Sequence, residues 1–186
     1  MTWLPLAVIV IVALMVLWAV AAYNGLVGLR NRTQAAWSDI DVQLKRRHDL
    51  VPNLVETVKG YASHEKGTFE AVVAARSKAM SAQTTEARGE AEQGLTAALG
   101  KLFALAEAYP QLRAAESFSQ LQGSLAQIEE AIQNARRYYN AVVRDFNTKI
   151  AQVPWNLFAS MFNFTRREFF QVGDEAERAV PQVKFN

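Results

Sequence analysis

Apolar residues recur every three and four positions along most of this chain. From Trp37 the series runs Trp37, Ile40, Leu44, Arg47, Val51, Leu54, Val58, Tyr61, a 3-4-3-4-3-4-3 spacing. That spacing is the seam of a helix packed against another helix. Pro52 interrupts the stretch, and a proline inside a helix removes a donor and clashes with the carbonyl four residues back, at about 3 kcal/mol or more. The seam nevertheless keeps its phase through Pro52, which itself falls off the seam. The expectation is one helix, bent with the proline on its convex side and not broken. A small-residue face (Gly67, Ala71, Val72, Ala75, Ala79) extends this helix, giving a span of about 28–80.

"SAQTTEARGE" (81–90) holds no apolar side chain larger than alanine and reads as a loop. A further helix fits 89–108, with Leu95, Leu99, Leu102, Phe103 and Ala106 on one side, and Pro110 closes or redirects it. The longest pattern is Phe118, Leu121, Leu125, Ile128, Ile132, Ala135, Tyr139, Val142, Phe146, within a helix over 117–153. Ser117 with Gln120 forms a capping box at its start, and Pro154 stops it. No segment shows a convincing period of two, so the body is all-α.

Residues 3–23 carry no charge. At ~1.5 Å per residue they reach ~31 Å, the thickness of a bilayer's hydrocarbon core. Trp3, Trp18 and Tyr23 lie towards the ends of the run, where amphipathic aromatics prefer the headgroup level. Ala19-Val20-Ala21 resembles a signal-peptide cleavage site, but no Lys or Arg precedes the run and it exceeds the ~7–15 residues of such signals. The expected architecture is therefore an N-terminal transmembrane helix (1–25) continuing into an antiparallel bundle of long, coiled-coil-like helices (26–153). An aromatic-rich tail (154–186) follows. Arg30, Arg32, Lys45, Arg46 and Arg47 follow the anchor, which by the positive-inside rule puts the body in the cytoplasm.

The tail holds Trp155, Phe158, Phe162, Phe164, Phe169 and Phe170 within seventeen residues. So much aromatic surface is expected to fold back on the bundle, lie in the membrane interface or dock on another subunit. The stretch 171–186 is polar and ends in Val180-Pro181-Gln182-Val183-Lys184-Phe185, which stays loose or pairs with a neighbour.

Composition removes function classes more than it adds them. The net charge of +2 is spread as mixed signs, whereas nucleic-acid binding calls for a concentrated basic face. There is no cysteine. The approximation to a P-loop at Gly94–Leu102 has one residue too many between its glycines and Leu102 where a Ser or Thr should bind Mg²⁺. No Glu has a histidine three residues on, as a di-iron bundle requires. His48 and His64 are sixteen apart, about 160° around a helix, and are expected to be solvated or capping. These failures leave no catalytic residue, metal site or cofactor, and the reading is of a protein that is not an enzyme.

One group does not fit the pattern. Arg47 occupies a seam position inside the run Lys45-Arg46-Arg47-His48. Either its stem packs while the guanidinium snorkels to water, or it forms a specificity pair with an acid near the seam of the last helix, such as Glu129 or Asp145. In the second case Arg47→Met is expected to lower assembly fidelity while leaving or raising thermal stability. Direct contact of this run with lipid is not expected, since it lies ~30 Å of straight helix beyond Tyr23 and surface potential decays over ~8 Å.

"YNGLVGLRNRTQAAWSDIDVQLKRRHDLVPNLVETVKGYASHEKGTFEAVVAARSKA" (23–79) and "ARRYYNAVVRDFNTKIAQVPWNLFASMFNF" (135–164) resemble the LemA family of bacterial membrane proteins. The resemblance implies a single transmembrane helix and a bundle of long antiparallel helices, and carries no catalytic motif. It also implies an accessory role around membrane-protein quality control or envelope stress, since family members are often encoded near membrane metalloproteases. The expectation is a scaffold in the bacterial inner membrane that self-associates into a homo-oligomer. The alternative is an adaptor for a membrane protease or other membrane protein. In the adaptor the contact surface is the tail aromatics or the Arg46-Arg47-His48 ridge.

Overall fold

A computed structural model describes residues 3–171. All regular structure among them is helical: α1 (Trp3–Lys59), α2 (Lys66–Ser81), α3 (Thr85–Glu107), α4 (Pro110–Arg113), α5 (Glu116–Ala151) and α6 (Trp155–Met161). The chain divides into two compact units. The first comprises the described residues within 1–40 and 135–168, the second those within 41–134 and 169–186.

α1 is continuous through Pro52, as the unbroken seam requires. It carries the uncharged segment and is long and apolar enough to cross a membrane, with none of its most apolar window buried. It ends well short of residue 80. Gly60 and Tyr61 leave the helix, and the amides of both Gly60 and Ala62 close onto the last turn, the latter onto the carbonyl of Val58 at 3.0 Å. A glycine here has little to lose by leaving the helix. The turn moves Tyr61 off the seam to the surface and buries Ala62 in its place. The expected 28–80 helix is therefore two, and α2 returns along α1 after a six-residue connection.

The loop expected at 81–90 is also corrected, because α3 starts at Thr85. The side chain of Thr84 accepts a hydrogen bond from the Ala87 amide (3.1 Å), an N-cap that satisfies one of the orphan donors, and Glu86 sits favourably in the first turn. At α5 the expected capping box is absent. The helix begins at Glu116, and the Gln120 side chain donates to the Glu116 carboxylate (3.0 Å).

In the second unit Val51, Leu54, Val55 and Val58 of α1 meet Phe69 and Val72 of α2, Leu95, Leu99 and Leu102 of α3, and Leu112, Phe118 and Leu125. The breadth of apolar surface at 51–61 thus serves two neighbouring helices of the same chain. In the first unit Leu26 of α1 packs with Phe146 and Ile150 of α5, Ala159 of α6 and Phe164. The segment 171–186, expected to stay loose or pair with a neighbour, lies outside the described residues apart from Gln171.

Candidate functional site

Two constellations gather the residues that the sequence singled out, one in each unit. The first follows from Arg47. With 2% of its surface exposed it does not snorkel. Its Nη1 donates to Oε2 of Glu92 (3.1 Å) and its Nη2 to Oγ1 of Thr96 (2.7 Å), and Nη2 lies 2.8 Å from Oε1 of Glu129. His48 is beside it, with Nε2 2.7 Å from the other oxygen of Glu92. Glu92 is 1% exposed, so both its oxygens are committed to α1. Burial raises the Glu129 carboxyl above its usual range, the nearby Arg47 opposes this, and Glu92 adds to it. Among the described residues only Nε of Arg47 is left in this cluster without a hydrogen bond.

Pro52 belongs to the same construction. A helical carbonyl normally accepts from the amide four residues on, and for His48 that residue is Pro52, which has no amide hydrogen. The orphaned carbonyl is taken by Nε of Arg76, from α2, at 2.7 Å. Position 48 therefore ties α1 to α3 through its ring and to α2 through its backbone. The proline frees the acceptor that docks α2.

Of the four residues in the basic run, Lys45 and Arg46 are exposed, and Lys45 pairs with Asp49 one turn on (2.7 Å). His48 is neither solvated nor capping; His64 is exposed. Beside His48 an open cleft of about 280 Å³ is lined by Asp41, Leu44, Lys45, Asp49, Met80 and Arg88, where Arg88 pairs with Asp41. Asp145, the other proposed partner of Arg47, belongs to the first unit.

Glu92 lies within the helix expected over 89–108, but the partners sought for Arg47 were acids near the seam of the last helix. Its position was legible all the same. Glu92 stands three residues before Leu95 and seven before Leu99, a charge in the apolar stripe of its helix, just as Arg47 is in that of α1. Two charges misplaced in two seams are each other's signal. The buried acid also reverses one expectation. Arg47→Met leaves Glu92 without its guanidinium in the core, so the single substitution is now expected to destabilise.

The second constellation is aromatic. Trp18 meets Trp155 (ring centroids 6.0 Å) and Phe158 (5.5 Å), and Tyr23 meets Phe162 (4.7 Å) and Phe164 (6.0 Å). Two of the three anchor aromatics thus meet four of the six tail aromatics. Trp3 is exposed at the far end of the apolar run. Cations cover the collar from outside, Lys149 over Trp155 (4.0 Å) and Arg30 over Phe164 (5.5 Å).

The chain turns into this collar through Asn163, at φ 55°, a left-handed conformation that asparagine tolerates better than most residues. The Phe164 amide bonds back to the Ala159 carbonyl (2.9 Å), the six-to-one bond of a Schellman close. Beyond it the tail backbone is held along α5. Asn147 accepts from the Arg167 amide and donates to its carbonyl, both at 2.9 Å, and Tyr139 donates to the Glu168 carbonyl at 2.9 Å.

Phe169 and Phe170 part from the other tail aromatics and belong to the second unit. Phe169 is exposed; Phe170 is fully buried near Gly89, where a Cβ would overlap the Gln171 carbonyl oxygen. Only glycine admits the tail backbone that close. Of the three fates foreseen for the tail, the first unit shows folding back.

The sequence profile of the LemA family matches residues 36–185. Among similar proteins are magnetosome protein MamQ 2 of Paramagnetospirillum magneticum, 28% identical over 80% of this chain, and MamQ of Magnetospirillum gryphiswaldense, 26% identical over 87%. Protein LemA of Metamycoplasma hominis is 26% identical over 81% of this chain and 69% of its own length. The chain spans 64% of the length of the P. magneticum relative and 70% of the M. gryphiswaldense one. With an all-α fold, an apolar helix long enough to cross a bilayer and a profile match over most of its length, the chain belongs to the LemA family.

Proposed function

We propose that this protein is a non-enzymatic helical scaffold of the bacterial inner membrane whose copies associate in the plane of the bilayer. The observation that carries the reading is the aromatic collar. Trp18 and Tyr23 of the apolar helix are packed against the tail, so the first unit does not hang from its anchor on a flexible linker. A recruiting module gains from reach and tether freedom. Assembly in a plane gains from a fixed orientation, because less freedom is lost when copies meet. The buried charge cluster supports the non-enzymatic half. Arg47, Glu92 and Glu129 are spent on one another, and His48 on Glu92, with no nucleophile or open reaction site among them.

Arg30 and Arg32, on the body side of the apolar run, favour a cytoplasmic domain. A role in envelope stress or membrane-protein quality control fits a scaffold of this kind. Two relatives are named for the magnetosome, which fits a protein that organises at a membrane. The broad apolar face of α1 at Val51–Val58 and the tail rings Trp155, Phe158, Phe162 and Phe164 pack within the chain. The assembly contacts are therefore assigned to the anchors and the first unit.

The test is particle mass after polymer extraction of the membrane. The expected result is a discrete multimer, which loses subunits in the Trp18→Leu/Tyr23→Leu double variant, whose anchor stays apolar but whose collar is loosened. A monomer for the natural chain at every lipid ratio rejects the scaffold. The cleft beside His48 favours one second reading, an adaptor that holds a segment of a membrane protease or other membrane protein. A photo-cross-linker at Met80 that returns only intrachain products argues against it.

A further inference from the structure

The apolar surface left exposed near the collar is concentrated on one side of α6. Leu157 and Met161, four residues apart, share a helical edge and are 66% and 67% exposed, and Val153, in the turn just before the helix, is 79% exposed. Phe162 is half-exposed beside them. The other side of α6 is used up: Trp155 and Phe158 against Trp18, and Ala159 in the core with Leu26 and Phe164.

Depth decides what covers the free edge. Trp18 lies five residues, or ~7.5 Å along the helix axis, inside Tyr23, and twelve residues before Arg30, the first charge of the chain. Rings within 6.0 Å of Trp18 are therefore at the level of the outer part of the bilayer and not above it. The sequence of this segment agrees. Residues 150–165 contain no charge, while Lys149 precedes them and Arg166 and Arg167 follow. An uncharged segment bounded by basic residues, with aromatics at its ends and an apolar edge, has the pattern of an interfacial element. Lys149 and Arg30, over the rings of Trp155 and Phe164, supply the positive charge that anionic headgroups attract.

We propose that α6 is a second membrane contact: Val153, Leu157 and Met161 lie among lipids at the glycerol and upper acyl level of the leaflet from which α1 emerges, with Lys149 and Arg30 among the headgroups. The protein then sits on the bilayer through two points, a spanning helix and a surface helix locked to it by Trp18. Lipid covers this edge in each copy, which leaves other parts of the first unit for contact between copies.

The chain has no cysteine, so Leu157→Cys and Met161→Cys each give a single labelling site on an already exposed side chain. The full-length protein is spin-labelled and reconstituted in phosphatidylcholine–phosphatidylglycerol vesicles, with Val73→Cys in α2 as a reference exposed in the second unit. Collisions with oxygen and with a water-soluble nickel chelate are then compared. The expected result at 157 and 161 is an oxygen-to-nickel ratio several-fold above that at 73. A ratio equal to that at 73 places the edge in water and overturns the proposal. Protection from both reagents at 157 and 161 shows protein covering the edge, a second copy being the nearest source, and overturns it as well. An edge in water leaves the scaffold untouched and an edge covered by a second copy favours it, so this proposal and the scaffold fail separately.

Discussion

In the first unit the chain is held by rings and by backbone: Trp18, Tyr23, Trp155, Phe158, Phe162 and Phe164 in mutual contact, and the tail's peptide groups satisfied by Asn147 and Tyr139. In the second unit an apolar core surrounds Arg47, Glu92 and His48. The two differ in how much a wrong arrangement costs. Aromatic surfaces are broad and non-directional, so a displaced ring loses contact gradually. A buried guanidinium and carboxylate tolerate no slip, because each unpaired charge keeps its full desolvation penalty. The second unit thus fixes the register of α1 against α3. The first unit keeps the anchor and the tail together at a boundary where solvent changes from water to lipid.

The sharpest way to break this comparison is to empty the charge cluster. Arg47→Met is expected to destabilise by about 3–5 kcal/mol, the usual cost of stranding one partner of a buried pair. Arg47→Met with Glu92→Leu is expected to recover most of that, since a well-packed apolar replacement of a buried pair is often neutral or better. Urea midpoints of the four chains in a double-mutant cycle measure the coupling. An additive cycle would show that the two charges act separately and that no register lock exists.

A smaller effect is expected where Pro52 frees a carbonyl. Arg76→Met leaves the His48 carbonyl without its acceptor role filled and is expected to cost about 1–3 kcal/mol. In a Pro52→Ala background the new amide at 52 takes that carbonyl, and the same substitution is expected to cost clearly less. Equal costs in both backgrounds would remove the proline from the docking of α2.

The smallest effect tests the first unit. Asn163→Val forces a β-branched residue into the left-handed region and is expected to cost about 1–2 kcal/mol, whereas Asn163→Gly is neutral or mildly stabilising. Quenching of tryptophan emission in the vesicle-bound protein checks it, since Trp18 and Trp155 share the collar. An indifferent Asn163→Val would show that ring packing and not the turn seats the tail.

These substitutions separate what one strand of sequence reveals from what it conceals. The uninterrupted phase of the α1 seam showed that Pro52 does not break the helix, and it marked Arg47 as misplaced; Glu129 was within reach by the same phase. Helix ends were read less well. The small-residue face that follows carries the helical period past Gly60, where the helix ends, and the lack of large apolar side chains over 81–90 reads as a loop although α3 starts at Thr85. The structure shows why small residues stand there: Gly89 must admit the Gln171 backbone. Absence of bulk signalled a short connection at 82–84 and, at Gly89, a close approach within α3.

What the sequence by itself determined is local: an uncharged span of membrane length, the period of each helix and the charges that fall in its apolar stripe. These are properties of residues within a few turns of one another, set by the helical repeat. The tertiary structure alone decided that Arg47 and His48 share Glu92, forty-five and forty-four residues away, and that Arg76 takes the carbonyl Pro52 releases. It alone turned the tail aromatics back onto Trp18 and Tyr23. Periodicity says which side of a helix is buried, but not which other helix buries it, and the chemistry of a buried charge depends entirely on that second fact.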